Sequence, residues 1–266
     1  MPRIGRSPDE QTLVDAAGPD FLEALARGLR VIEAFGRERK ALTLSDVARL
    51  VDLPRASVRR TLTTLVRLGY AEMDERLFRL TPRILNLAGA YLASNAITGI
   101  VQPAIERLSE DVNEACSAAV LDGEDVVMIA HAAPRRVINV SAQVGFRLPA
   151  AASSLGRVLL AALDGPALDA FLASVQPTKL TPATVVGKKE LRKTILKARA
   201  DGFSLVDQEA EIGFRSISVP LRRIDGRVVA SLNIGVRSER CPLSTMRGVF
   251  LPKLRALAAG LQPQIV

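Results

Sequence analysis

Apolar residues recur at spacings of three and four from Phe21 onward, at Leu22, Leu25, Leu29, Ile32 and Phe35, and the run closes near Gly36. That period is one face of an α-helix. Thr43 or Ser45 can cap a short second helix carrying Val47, Ala48 and Leu50, because a side-chain oxygen satisfies amide donors that lack a partner in a first helical turn. Val51-Asp52-Leu53 reads as a turn, Pro54 as the first turn of a third helix and Gly69 as its stop, which places that helix at 54–68. Val58, Leu62 and Leu65 share one face of it, with Ala56, Arg60, Thr63, Thr64 and Arg67 opposite. Two strand-like runs, 70–73 and 77–80, flank Asp74-Glu75-Arg76 as a hairpin would. Three helices followed by a hairpin make a winged helix-turn-helix.

Thr81-Pro82 starts a further helix whose Ile84, Leu85, Leu87, Ala88, Tyr91 and Leu92 span a wide apolar arc, the pattern of a linker helix with a dimerisation face. Beyond Ile97 helical and strand periods alternate, as in an α+β or α/β domain. Helix 100–112 is followed by strands 116–121 and 126–131 around Asp122-Gly123, a strong hairpin signal. Strand 137–144, helices 155–163, 167–172 and 190–200, strands 216–221 and 227–235 around Asp225-Gly226, and a terminal helix 244–259 complete the expectation. Residues 1–20 show no such period and read as a flexible arm.

Charge sharpens this picture. Residues 1–26 hold 2 basic and 5 acidic side chains, 27–83 hold 13 and 7, and 84–266 hold 21 and 16. A basic surplus concentrated in the helix–hairpin segment, nearly all Arg, is the footprint of a phosphate-binding module, although a solvated basic surface has the same composition. Arg55, Ser57, Arg59, Arg60 and Thr64 on the third helix are the candidate contacts to a DNA major groove, where Arg pairs with guanine edges and small residues permit close approach. Arg76 at the hairpin tip and Arg79 on its second strand could reach phosphate or the minor groove, or could serve solubility and edge protection.

With 48% hydrophobic and 24% charged residues the chain can bury a core. Two cysteines, a polar N-terminus and short apolar runs predict a cytoplasmic protein with no membrane span. No cofactor or metal is expected. The sole histidine, His131, has no second imidazole or Cys pair at metal-ligand spacing and reads as structural, and Cys116 and Cys241 read as buried thiols. There is no G-x-S-x-G elbow, and "VVGKKE" lacks the upstream glycine of a P-loop. Asp207, Glu209 and Glu211 read as a polar loop rather than paired catalytic carboxylates.

The segments "ALARGLRVIEAF", "LTLSDVARLVDLPRASVRRTLTTLVRLGY" and "RLFRLTPRILNLA" resemble the DNA-binding half of IclR-family transcription regulators. "CSAAVLDGEDVVMIA", "VGFRLPAAASSLGRVLLAAL", "GFSLVDQEAEIGFRSISVP" and "GRVVASLNIGV" resemble that family's effector domain, closest to its β-ketoadipate-pathway branch, which regulates protocatechuate and p-hydroxybenzoate catabolism. The resemblance implies a two-domain α+β fold: a winged helix-turn-helix at 21–81, a linker helix at 82–97 and a GAF-like effector domain at 98–266. It also implies a homodimer or tetramer on a double-stranded DNA operator. Carried over by resemblance, the positions that would bind a small organic acid are Ser154, Leu155, Phe214, Ser216, Asn233 and Gly235. Val206 stands where glyoxylate-type members resemble one another in having an acidic residue, which suits a larger, aromatic acid. Arg135, Arg136, Arg147 and Arg215 are available to pair with a carboxylate. The expected function is a ligand-responsive regulator of aromatic-acid catabolism and not an enzyme. The alternatives are a regulator of another small-acid pathway, or a sensor or enzyme whose basic module docks a partner.

Overall fold

The computed structural model describes residues 18, 20–36, 39–94, 96–134 and 143–266, and the chain divides into two compact units, 1–91 and 92–266. The arm expected at 1–20 lies outside the described residues apart from Gly18 and Asp20, as does the strand expected at 137–144 as far as residue 142. Among the described residues no single helix is long and apolar enough to cross a membrane.

The first unit consists of α1 (Glu23–Glu33), β1 (Leu42–Thr43), α2 (Leu44–Leu50), α3 (Arg55–Arg67), β2 (Ala71–Asp74) and β3 (Leu77–Leu80), with the strands in the antiparallel order β1-β3-β2. Thr43 caps α2 reciprocally: Asp46 N–H donates to its hydroxyl at 3.2 Å while its own N–H donates to the Asp46 carboxylate at 3.2 Å. The Thr43 hydroxyl also donates to that carboxylate, and these bonds hold the Asp46 carboxyl below its usual range. Val58, Leu62 and Leu65 of α3 pack with Val31, Val47 and Phe78 in the core. The apolar stripe of α1 divides: Ile32 and Phe35 pack against the core, and its earlier members do not. Leu22, Leu25 and Leu29 are 71%, 60% and 48% exposed, and the buried side chains are Val31 and Ala34, which occupy another face of the helix turn. A 3₁₀ turn (Pro82–Ile84), capped by Thr81, leads into α4 (Leu85–Ser94), whose Leu85, Leu87 and Tyr91 are exposed.

The second unit begins with α5 (Ala96–Val112), four residues before the expected start, and holds a six-stranded antiparallel sheet in the order β6-β5-β4-β9-β8-β7. Its strands are β4 (Ala115–Asp122), β5 (Asp125–Ala132), β6 (Arg147–Pro149), β7 (Ser204–Asp207), β8 (Phe214–Arg222) and β9 (Val228–Arg237). The edge strands β6 and β7 were not anticipated; each is four residues or fewer, too short for a period to register. Helices α6 (Ser154–Ala162), α7 (Gly165–Ser174) and α8 (Lys188–Asp201) lie between β6 and β7 in the chain. The C-terminal helix runs through α9 (Leu243–Thr245), a π-helical turn (Met246–Phe250) and α10 (Leu251–Leu261).

Period two sorts the sheet's faces. On β8 and β9, Ile217, Val219, Leu221, Leu232, Ile234 and Val236 join Val101, Ile105 of α5 and Leu254 of α10 in one core. The alternate positions Ser216, Ser218 and Asn233 point to the other face and bond to Ser154 of α6. The start of α6 comes so close to the preceding 3₁₀ turn (Ala150–Ala152) that a Cβ on Gly156 would sit 2.2 Å from the Ala150 carbonyl oxygen. Gly156→Ala is therefore expected to lower stability by about 1–3 kcal/mol or more in urea denaturation, as overpacking does. Gly260→Ala, in a helix where a Cβ meets nothing within 4 Å, is expected to raise it by about 0.5–1 kcal/mol.

Candidate functional site

On α3 the buried Val58, Leu62 and Leu65 turn Arg55, Arg59, Arg60 and Thr64 to the surface, with Ser57 half-buried. Arg55 and Arg59 line a concave surface of about 740 Å³ between α3 and the hairpin, together with Thr63 and Arg67 of α3, Thr43 and Ser45 at the start of α2, and Arg76. Arg60 and Thr64 stand outside that lining, and the Thr64 hydroxyl donates to the Arg60 carbonyl at 2.9 Å. Arg79 pairs with Asp74 across the hairpin at 3.5 Å. Thr43, Ser45, Thr63 and Arg67 were not among the candidate DNA contacts, although Thr63 and Arg67 were placed on the face of the helix opposite its core. The stripe itself was legible, since Arg55, Arg59, Thr63 and Val66 follow at i, i+4, i+8 and i+11.

In the second unit, a cavity of about 270 Å³ lies between the sheet and the start of α6. Its floor is two rows of cross-strand neighbours. In the first, His131 of β5, Ser117 of β4 and Asn233 of β9 are successive partners; in the second, Ala115, Gly235, Ser216 and Val206 are. A bulge at Ala118/Ala119 shifts the register so that Met128 and His131, three residues apart on β5, both line the cavity. Phe146, Leu148, Leu155 and Phe214 supply apolar wall, and Ala210 and Glu211 reach in from the β7–β8 loop. All six positions assigned by resemblance, Ser154, Leu155, Phe214, Ser216, Asn233 and Gly235, line this one cavity.

The polar lining is tightly bonded. Ser154 Oγ lies 2.7 Å from both Ser216 Oγ and Ser218 Oγ and accepts from Asn233 Nδ2 at 3.1 Å. Ser117 Oγ and His131 Nδ1 are 3.0 Å apart, and burial pushes the His131 pKa below its usual 6.5, so the imidazole is neutral at pH 7. Both cysteines are buried free thiols, with Cys116 pushed up to about 12 by burial. Ser153 caps α6 by accepting from Gly156 N–H at 3.0 Å, and the amides of Ser154 and Leu155 that precede it in the first turn have no intrahelical acceptor.

Arg157, one turn into α6, is buried. It donates to Glu209 at 2.6 and 2.5 Å and to the Ala151 carbonyl at 3.0 Å, while Glu209 also accepts from Val185 N–H at 3.1 Å. The pair thus ties the start of α6 to the β7–β8 loop. The expectation of a polar acidic loop holds for Glu211, which is exposed, pairs with Arg237 and borders the cavity, and is corrected for Glu209, buried on Arg157, and for Asp207, which lies in β7 and pairs with Arg215. Neither of the described arginines offered for a ligand carboxylate reaches the lining. Arg147 is held by Asp122 at 2.6 Å and Asp125 at 3.1 Å, and Arg215 by Asp207 at 2.9 Å and the Cys241 carbonyl at 2.8 Å. Arg135 and Arg136 lie outside the described residues.

Family models match on both units: the IclR helix-turn-helix domain over residues 24–75 and the bacterial transcriptional regulator IclR C-terminal domain over 89–262. The chain belongs to the IclR family. Its relatives include the Pca regulon regulatory protein of Pseudomonas putida, 40% identical over 99% of this chain and 91% of that protein. The p-hydroxybenzoate hydroxylase transcriptional activator of Acinetobacter baylyi is 33% identical over 91% of this chain and 92% of its own. An IclR homolog from Microbacterium hydrocarbonoxydans, solved in complex with 4-hydroxybenzoate, superposes with a TM-score of 0.75 at 28% identity, covering 90% of this chain and 97% of that one. This IclR-family protein is thus a DNA-binding transcription regulator rather than an enzyme, and its basic groove and its cavity sit on the two domains that define the family.

Two predictions follow from the bonding of the cavity. Ser154→Ala leaves three polar side chains without their shared partner and is expected to cost about 1–3 kcal/mol in urea denaturation. Because the folded-state pKa of His131 is depressed, the folded protein binds fewer protons than the unfolded chain as the pH falls below 6.5. Stability declines in that range, and His131→Gln is expected to make the decline shallower.

Proposed function

We propose that this protein is a regulator of aromatic-acid catabolism whose effector, a hydroxybenzoate-class acid, occupies the cavity at the start of α6 and alters operator binding. The observation that carries the reading is the composition of the cavity. At about 270 Å³ it is smaller than the pockets that hold drug-sized ligands, and it joins a polar patch to walls of Leu, Phe, Met and Val. Among its described lining residues there is no Lys or Arg. A carboxylate is therefore met by the first-turn amides of α6 and the serine hydroxyls, where the helix dipole favours negative charge. The neutral His131 and Ser117 are placed to bond a ring hydroxyl, and the apolar Val206 suits a ring better than a two-carbon acid.

In this reading residues 21–81 read DNA, 82–97 link and 98–266 sense the effector in the cytoplasm. Arg55, Ser57, Arg59, Arg60, Thr64, Arg76 and Arg79 supply operator contacts, with Arg55, Arg59 and Arg76 foremost because they share one concave face. The exposed apolar residues of α1 and α4 are covered by a second copy, giving the two-fold symmetry that a palindromic operator requires.

Calorimetric titration of the full chain with 4-hydroxybenzoate, protocatechuate and glyoxylate tests the effector class. The hydroxybenzoate-class acids are expected to bind and to change operator affinity; binding of glyoxylate alone, or of none, would overturn the reading. In operator titrations over a range of salt, Arg59→Ala is expected to weaken binding and to flatten the salt slope by about one. An unchanged affinity and slope would remove Arg59 from the interface.

A further inference from the structure

We propose that Gly235 sets the ligand size of the cavity, because its missing side chain lets the Phe214 ring come close against the strand and leaves width for a six-membered ring. The inference rests on the hydroxybenzoate reading above and names the feature that selects for it. Gly235 sits inside β9, between Ala115 and Ser216 in the register, and its φ is not in the left-handed region, so backbone freedom does not explain a glycine there. Glycine inside a strand weakens it, which makes close approach of another group the physical reason for its presence.

That group is Phe214. A Cβ on residue 235 would lie 2.5 Å from Phe214 Cζ, 3.3 Å from its Cε2 and 3.5 Å from Asn233 Oδ1. The backbone of Phe214 cannot retreat, since its N–H donates to the Glu211 carbonyl at 3.2 Å, its carbonyl accepts from Gln208 N–H at 2.8 Å and it pairs with Arg237 across the ladder. A methyl group at 235 therefore drives the ring away from the sheet. With β9 beneath it, the direction left is upward, into the space it now borders. The flanking floor positions Ala115 and Ser216 are small, so the depth of the cavity depends on this row staying flat.

The test is calorimetry on full-length wild type, Gly235→Ala, Gly235→Ala/Phe214→Leu and Phe214→Ala, with 4-hydroxybenzoate and 2-naphthoate as probes. Gly235→Ala is expected to bind 4-hydroxybenzoate at least tenfold more weakly, while the double variant, with a smaller side chain at 214, recovers to within about threefold of wild type. Phe214→Ala removes the ring and is expected to admit 2-naphthoate, which the wild type excludes. This gain holds the proposal to account even if Gly235→Ala fails to fold. Wild-type binding with an unaffected Gly235→Ala, a double variant as weak as the single, or no gain of 2-naphthoate would each overturn the size gate alone. Wild type silent to 4-hydroxybenzoate would overturn the effector reading and the gate together.

Discussion

The buried hydroxyl of Ser154 joins helix α6 to the sheet, and the effector domain is arranged around that junction. A hydroxyl has one proton and two lone pairs, and here it meets Ser216 and Ser218 of β8 and Asn233 of β9 within 3.1 Å. A buried polar group that loses its partner costs more than it contributed, so the start of α6 is drawn to a stretch of sheet that offers Ser and Asn in place of branched aliphatics. Small side chains leave space where they replace large ones. The cavity is that space, and three of the residues that fix the helix, Ser154, Ser216 and Asn233, also line it.

A second constraint works on the same helical turn. The Arg157–Glu209 pair is buried and fully bonded, with Thr184 donating to the Glu209 carbonyl at 2.6 Å. Removing one member of such a pair strands a charge, whereas the intact pair holds distant segments in one arrangement. It connects the turn where an anionic ligand meets helix amides to the loop that carries Ala210 and Glu211 into the cavity. The proposed effector thus arrives at a point already bonded to several parts of the domain, which is what coupling to a second site requires.

Much of this was legible in the chain. The third helix was placed within one residue at each end because proline, glycine and a clean apolar face agree, and the Asp-Gly steps gave both long hairpins. The resemblance-derived positions Ser154, Phe214, Ser216, Asn233 and Gly235 meet across separations a period cannot see; the shared motif carried that information. What failed has a common cause. Arg147 and Arg215 looked available because a sequence does not show Asp122, Asp125 and Asp207 beside them. Glu209 read as solvated because its partner lies 52 residues away. The place of His131 in the cavity lining was not legible, because it depends on the extra residue, Ile129, that a bulge puts into its own strand. On α1, the helical period found an apolar stripe but not how much of it is buried: Ile32 and Phe35 pack against the core, while Leu22, Leu25 and Leu29 are exposed.

The central claim is that a ring-bearing acid binds with its carboxylate at the α6 amides and its ring against the surface made by Phe214 and Gly235. A crystal structure of the full chain grown with 4-hydroxybenzoate tests it most directly. The account predicts the carboxylate within hydrogen-bonding distance of the Ser154 and Leu155 amides, the ring over Gly235 and the hydroxyl toward His131. A ligand with its carboxylate paired to a guanidinium, or seated outside this cavity, would contradict it.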